Sequence, residues 1–229
     1  DNAEIVVENG KINGRALFVI DATEATHFLI SDSLGILSII DSNDPGLEII
    51  NLTTVDKTTS VAELKMNNVN AEHLDSTENN SKNTQRVVDV GRLMIAADSL
   101  GASQVMIDKA VEYSMQRKQF GRAIGSFQAV KHMCAQMAAD LEPCYSLIWY
   151  SAHSLDHIPE ESNLMASHSK AHVSDVASYI AKTSTEVHGG MGFTDELGLH
   201  YWFKRIGLNR QLLGGVDTVR EEVADSQGF

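Results

Sequence analysis

The sequence is short of three things. Only two cysteines, Cys134 and Cys144, occur in 229 residues. They fall in one stretch of helical spacing, roughly 15 Å of rise apart, beyond the reach of a disulfide. Free core thiols are the expectation, and they suit a reducing cytoplasm. Positive charge is scarce as well: 18 Lys and Arg stand against 31 Asp and Glu, for a formal net charge of −13. That argues against nonspecific nucleic-acid binding, which needs cations to replace counterions, and leaves room only for a local basic pocket. Long apolar runs are missing. None nears the ~20 residues a bilayer span needs, and no signal peptide is visible, so no membrane partner is expected. The chain starts without Met, at DNAEIVVENGKINGR, already inside strand-like sequence. An upstream segment is therefore expected to be absent or removed.

What is present suits a folded protein of one large domain or two small ones, with 43% hydrophobic and 21% charged residues. Residues 3–69 have strand character. EIVV, the turn pair Asn9-Gly10 and KI form a hairpin signal. ALFVI, HFLIS and GILSII are short apolar strands, and DSNDPG at 41–46 is a turn. Ala62, Leu64 and Met66 alternate with Glu63, Lys65 and Asn67, a strand with one wet face. HLDSTENNSKNTQR at 73–86 is polar and is expected to be a linker or long loop. Helical spacing dominates beyond it. Leu93, Ala97, Leu100, Ile107 and Val111 mark one helix. Phe127, Val130, Cys134, Met137, Leu141 and Ile148 mark a second, with Pro143 expected to kink or break it. Val173, Val176, Ile180 and Val187 mark a third, and shorter helices are expected near 195–209 and 215–224. The fold class is α+β: a small antiparallel β domain over 1–72, a linker over 73–86, and an antiparallel helical bundle over 87–229.

One joint is over-equipped for a turn. YSMQRKQFGRAIGSFQAVKH, residues 113–132, puts two cations, an amide, Phe120 and Gly121 between two helices. A β unit followed by a bundle, with R-x-Q-F-G at the first helix joint, resembles the acyl-CoA dehydrogenases. NGKINGRALFVIDATEATHFLI resembles the family's middle-domain hairpin, and EVHGGMGFTDELGLHYWFKR its glycine motif. The likeness covers nearly the whole chain and starts at the β middle domain. The family's helical N-terminal domain has no counterpart in this sequence.

The resemblance implies α,β-desaturation of an acyl-CoA with FAD as cofactor. Arg117 matches the arginine that reaches the FAD of a neighbouring subunit, and a guanidinium can fork onto pyrophosphate oxygens. Phe120 offers an apolar surface near the adenosine. Gln128 matches a second polar contact, and Gly189 and Gly190 would let backbone amides approach phosphate. His188 could bond a phosphate or ribose. Glu186 stands where the family usually has Gln, and a carboxylate is repelled by pyrophosphate. The plainer alternative makes Arg117 a solvated helix-end charge and the glycines a helix cap.

Other family contacts look lost. Phe18, Val19 and Ile20 replace the Trp-Ile-Thr that stacks on and bonds the flavin, and Ile20 has no donor; a plain core strand is the preferred reading of FVI. Gly214 stands in the usual catalytic Glu position and Gly91 in the minority one, so no catalytic residue is assigned. Asp89, Asp98 and Glu196 are nearby acids expected on wet helix faces. The retained contacts are those the family donates to another chain's FAD. The expectation is an FAD-sharing subunit of a heteromeric, cytoplasmic acyl-CoA dehydrogenase. A catalytic partner subunit would hold most of an acyl-CoA substrate, by analogy a steroid side-chain thioester. A homomeric enzyme with a displaced base, and a flavin-free structural homologue, are the alternatives.

Two histidine pairs, His153/His157 and His168/His172, have the i, i+4 spacing of metal ligands but lack a third ligand in sequence, and no metal is expected. Tyr201, Trp202 and Phe203 fit a core or interface. The HGGMG glycines follow a helix rather than a strand, so they are not a dinucleotide fingerprint.

Overall fold

A computed structural model of the chain describes residues 5–32, 35–74 and 80–229. The chain divides into two compact units, Asp1–Val87 and Val88–Phe229.

The first unit is built from short antiparallel strands. β1 (Val6–Glu8) and β2 (Lys11–Ile20) close through Asn9 and Gly10, whose φ values of 50° and 73° suit the hairpin turn that Asn-Gly favours. With β3 (His27–Ser31), β4 (Leu37–Asp41), β5 (Leu47–Asn51), β6 (Val61–Asn70) and β7 (Glu72–His73), they form two sheets. One has the order β1-β2-β6-β5 and the other β3-β4-β7. Their core holds Ile12, Phe28, Ile30, Ile40, Leu64 and Val69. Ala62, Leu64 and Met66 are buried on one face of β6, while Lys65 and Asn67 are exposed, as a period of two requires.

The FVI segment departs from a core strand. The β2–β6 register shifts between Ala16 and Val19, and Phe18 sits there at φ 58°. Such a bulge turns the ring outward: Phe18 is 56% exposed and Ile20 is exposed too. Only Val19 packs on the sheet core.

Helices make the second unit. α1 (Asn80–Gln116) starts inside the stretch expected to be a linker, so residues 80–86 are helical, His73 belongs to β7, and residues 75–79 lie outside the described ones. Lys82, Asn83, Thr84, Gln85 and Arg86 are polar yet all tolerate a helix, and the apolar period that follows extends it backwards. α2 (Gln128–His157) runs through Pro143 without a break. Pro143 and Ala139 are exposed, so the carbonyl that loses its amide partner can take water. α3 (Pro159–His188), α4 (Leu199–Gln211) and α5 (Val216–Ser226) complete the unit. Leu100, Met106, Met137, Leu141, Val173, Ile180 and Leu199 share one core. α3 is tied to α1 where Ser184 Oγ donates to the Met106 carbonyl at 2.8 Å. Cys134 and Cys144 are free thiols on α2, and burial pushes the Cys144 thiol up to about 11.

Candidate functional site

The over-equipped joint is a two-residue hairpin. β8 (Lys118–Gln119) and β9 (Arg122–Ala123) pair across Phe120 and Gly121, both at positive φ, 51° and 77°. The Arg117 amide bonds back to Tyr113 and the Ile124 amide to Arg117, each at 2.8 Å. A 3₁₀ turn (Ile124–Ser126) then leads into α2. Glycine takes the left-handed region freely, whereas phenylalanine pays about 1–2 kcal/mol there. Phe120 lies outside the hydrophobic core, 93% exposed, and among the described residues its ring meets the edge of Phe127, 6.2 Å between centroids. Arg122 caps Phe127 from 3.9 Å, a contact sequence reasoning missed although Arg122 and Phe127 are legible in the motif. Gly125 is also structural: a Cβ there would come within 2.9 Å of Ser114 Oγ.

Arg117 is exposed, with no side-chain partner among the described residues. Gln128 is exposed at the start of α2 and donates Nε2–H to His132 Nε2 at 2.8 Å. These residues share one end of α1 and α2 by chain continuity. His188 closes α3 nearby, stacked on Tyr113 at 4.6 Å. It is buried, and its Nδ1–H is given to the Ser184 carbonyl at 2.7 Å. Burial, aided by Lys109, holds the ring below ordinary imidazole, so it is neutral at pH 7. With Lys109, Glu112, Tyr113 and Gln116 it lines a cavity of about 140 Å³.

The glycine pair divides its roles. Gly189 has φ 58°, and its amide is already given to the Glu186 carbonyl, so it caps α3. Gly190 has neither reason: its φ is not positive, and a Cβ built on it would meet nothing within 4 Å. Its bare backbone is exposed. The Glu186 side chain is exposed as well. Gly192 is structural, since a Cβ would lie 2.8 Å from the Thr185 carbonyl oxygen.

Gly91 and Gly214, far apart in sequence, meet at Leu213. A Cβ on Gly91 would overlap Leu213 Cδ1, and a Cβ on Gly214 would lie 3.3 Å from Arg92 Nη2. Leu213 holds φ 55° and Gly214 φ 102°. Arg92, buried beside them, donates Nε–H to the Leu213 carbonyl at 2.9 Å and Nη1–H to Ser167 Oγ at 3.1 Å, and pairs with Glu222 at 2.7 Å.

The nearby acids differ from their expected placement. Asp89 is buried and accepts from Asn163 Nδ2 at 2.8 Å. Asp98 forks with Arg205 at 2.7 and 2.8 Å and accepts from Asn209 at 2.6 Å. Burial raises its carboxyl, but the Arg205 and Asn209 hydrogen bonds outweigh that and hold it below the usual range. A 3.6-residue period identifies a helix face but not which neighbour covers it, which is why both looked wet. Glu196 is exposed as expected. The His153 and His157 rings lie 4.6 Å apart, and among the described residues no group of three His, Cys, Asp or Glu is placed to hold a metal ion. Trp202 packs on the bundle core.

Two antiparallel sheets followed by a helical bundle, with a strained aromatic hairpin at the first joint, define an acyl-CoA dehydrogenase-like fold. Residues 82–227 match the acyl-CoA dehydrogenase C-terminal domain, so the chain belongs to the acyl-CoA dehydrogenase family. It is 36% identical over 114 residues to the caffeyl-CoA reductase-Etf complex subunit CarC of Acetobacterium woodii, covering 50% of this chain and 30% of that protein. It is 33% identical over 130 residues to the acyl-CoA dehydrogenase IpdE2 of Mycolicibacterium smegmatis, covering 57% and 40%. Less than half of each relative is thus spanned. Among solved structures, a variant of the Tcur3481–Tcur3483 steroid ACAD superposes with a TM-score of 0.86 at 24% identity, over 98% of this chain and 62% of that one. That likeness establishes the fold. Among the described residues no helix is long and apolar enough to cross a membrane.

Proposed function

We propose that this chain is the FAD-sharing, non-catalytic subunit of a heteromeric cytoplasmic acyl-CoA dehydrogenase. Arg117, Phe120, Gln128 and the Gly189–Gly190 backbone would hold the pyrophosphate and adenosine of a flavin whose ring belongs to the partner chain, with Glu186 and His188 beside them. When bound, FAD accepts the hydride from Cβ of the acyl-CoA. This chain's part is to grip and orient, with Arg117 forking onto phosphate oxygens and Phe120 covering the adenosine.

The observation that carries the reading is the state of the base seats. Gly91 and Gly214 converge where the resemblance seats a glutamate, and Leu213 stands over them with Arg92 beside it. Both positions hold glycine, which has no side chain to take a proton, and Glu222 beside Arg92 is already ion-paired at 2.7 Å. Outside them, Phe120 is held strained and 93% exposed, its ring edge-on to Phe127 and outside the hydrophobic core. Gly190 is unexplained from within the chain. By analogy with the steroid ACAD named above, whose likeness supports the reading without fixing it, the substrate is taken as a bulky acyl-CoA, a steroid side-chain thioester held mainly by the partner.

One observation favours the homomeric alternative. Phe18 presents its ring from a strained bulge at the position where the resemblance puts a flavin-stacking Trp. The two readings separate in one experiment. Co-expressed with a full-length catalytic dehydrogenase subunit, the chain should join a yellow complex that loses flavin on Arg117→Ala. The chain by itself should stay colourless. Stoichiometric flavin on the lone chain, removed by Phe18→Ala, would replace the first reading by the second.

A further inference from the structure

A groove of about 500 Å³ lies between α3 and α4. Buried Ala181 and Ile206 line it, and so do two rings left in solvent, Tyr179 at 39% and Phe203 at 38% exposure. None of these residues belongs to the flavin-gripping set. Gly207 lines the groove as well, in the interior of α4, where a glycine weakens a helix relative to alanine. Its own chain gives no reason for it: φ is not positive, and a Cβ built there would meet nothing within 4 Å. An exposed bare backbone in a groove suits close approach by something outside the chain.

Charge marks the ends. Arg210 Nη1–H donates to Asp175 Oδ1 at 2.6 Å, and Arg220 Nη2–H donates to Asp175 Oδ2 at 2.6 Å. Asp175 also lines the groove, but a guanidinium holds each of its oxygens. Arg210 Nη1 further lies 3.4 Å from Ser178 Oγ and from the Ser174 carbonyl, while its Nε and Nη2 have no partner among the described residues. Lys182 is exposed, again with no partner among the described residues. Two cations against one doubly paired carboxylate leave the lining net positive, in a chain of net charge −13.

Helix geometry sets the spacing. Asp175 and Lys182 are seven residues apart on α3, two turns along nearly one line, or about 10 Å. Arg210 is held at Asp175, so the two cations stand about two turns apart. On α4, Phe203, Gly207 and Arg210 at i, i+4 and i+7 share one face over the same length. We infer that this groove receives an amphipathic helix of another protein, with acids at i and i+7 and large apolar residues at i+3 and i+4. The acids meet Arg210 and Lys182, the apolar pair lies against Tyr179, Ile206 and Phe203, and the helix passes over Gly207. None of α1 to α5 has two acids seven residues apart, so no helix of a second copy meets the pattern.

The probe is a fluorescein-labelled, alanine-based helical peptide with Glu at i and i+7 and Leu at i+3 and i+4, titrated with the full chain by fluorescence anisotropy. Saturable binding is expected, and moving the second Glu to i+5, or changing both Leu to Ala, should weaken it at least ~10-fold. Lys182→Glu should weaken it at least ~10-fold too, and a peptide with Lys in place of one Glu should prefer that variant to wild type. Gly207→Leu should weaken binding at least ~10-fold while its thermal midpoint stays at or above wild type, which separates loss of the groove from loss of the fold. Unsaturable anisotropy overturns the inference, as does equal binding of the mis-spaced peptide or binding that both variants leave unchanged. Sedimentation that shows the chain alone pairing through this face, with Gly207→Leu restoring the monomer, overturns it as well, because the occupant is then a second copy.

Discussion

Lys170 offers the sharpest test of the bundle's energetics. Its side chain is fully buried on α3, and Nζ–H donates to the Asn209 carbonyl. Burial, with Arg92 and Arg210 adding repulsion, lowers its pKa from 10.5 to about 8. That displacement corresponds to about 3 kcal/mol of preference for the neutral amine in the folded state. The unfolded chain then binds the extra proton between about pH 8 and pH 10.5, so stability rises with pH across that window. Below it both states are charged and the full penalty applies; above it both are neutral and the penalty vanishes. Lys170→Met keeps the volume and removes the titration. It also leaves the Asn209 carbonyl without that donor, at about 1–3 kcal/mol. Near pH 7 the two effects nearly cancel, so the level of stability says little and the slope says everything. Urea unfolding followed by circular dichroism, in steps across the window, should show wild type gaining about 3 kcal/mol on the variant. Lys182→Met, at an exposed site on the same helix, is the control and should run parallel to wild type. If Lys170→Met also runs parallel to wild type, the lysine is not desolvated and the account of this core is wrong.

Gly190→Ala should leave thermal stability within about 0.5 kcal/mol of wild type yet reduce flavin retained by the heteromeric complex, because the new Cβ meets nothing in its own chain. Gly192→Ala should cost about 1–3 kcal/mol in urea unfolding, since the Thr185 backbone carbonyl cannot move aside; an unchanged midpoint refutes the packing. Phe120→Gly should raise stability by up to about 1 kcal/mol by relieving the left-handed strain, while flavin absorbance of the complex falls; loss of both together would mean Phe120 serves the fold. Asp98→Asn should destabilise by about 1 kcal/mol at neutral pH, discounted for the partial exposure of the pair. Its wild-type contribution is present above the ordinary carboxylate pKa of 3.8 and is lost as pH falls through the lowered folded value, so the two curves should converge in acid.

Local chemistry was enough to determine the elements. Asn9-Gly10 demanded a hairpin, the alternation through Met66 a half-buried strand, and the 3.6-residue period three long helices, because turn residues and side-chain periodicity act within a few positions. The R-x-Q-F-G joint stood out by its composition and was read through the family resemblance, while its two-residue hairpin was not foreseen. Polar composition misled at 80–86, where the apolar period that follows extends α1 backwards through residues that only tolerate a helix, and at Pro143, which an exposed helix face absorbs. Only the tertiary structure decided matters of company. It brought Gly91 and Gly214 together under Leu213, buried Asp89, paired Asp98 with Arg205, and turned Phe18 out of its sheet through a bulge. Periodicity states which face a residue shares, but burial, pairing and strain depend on what packs against that face, and that neighbour comes from a distant part of the chain.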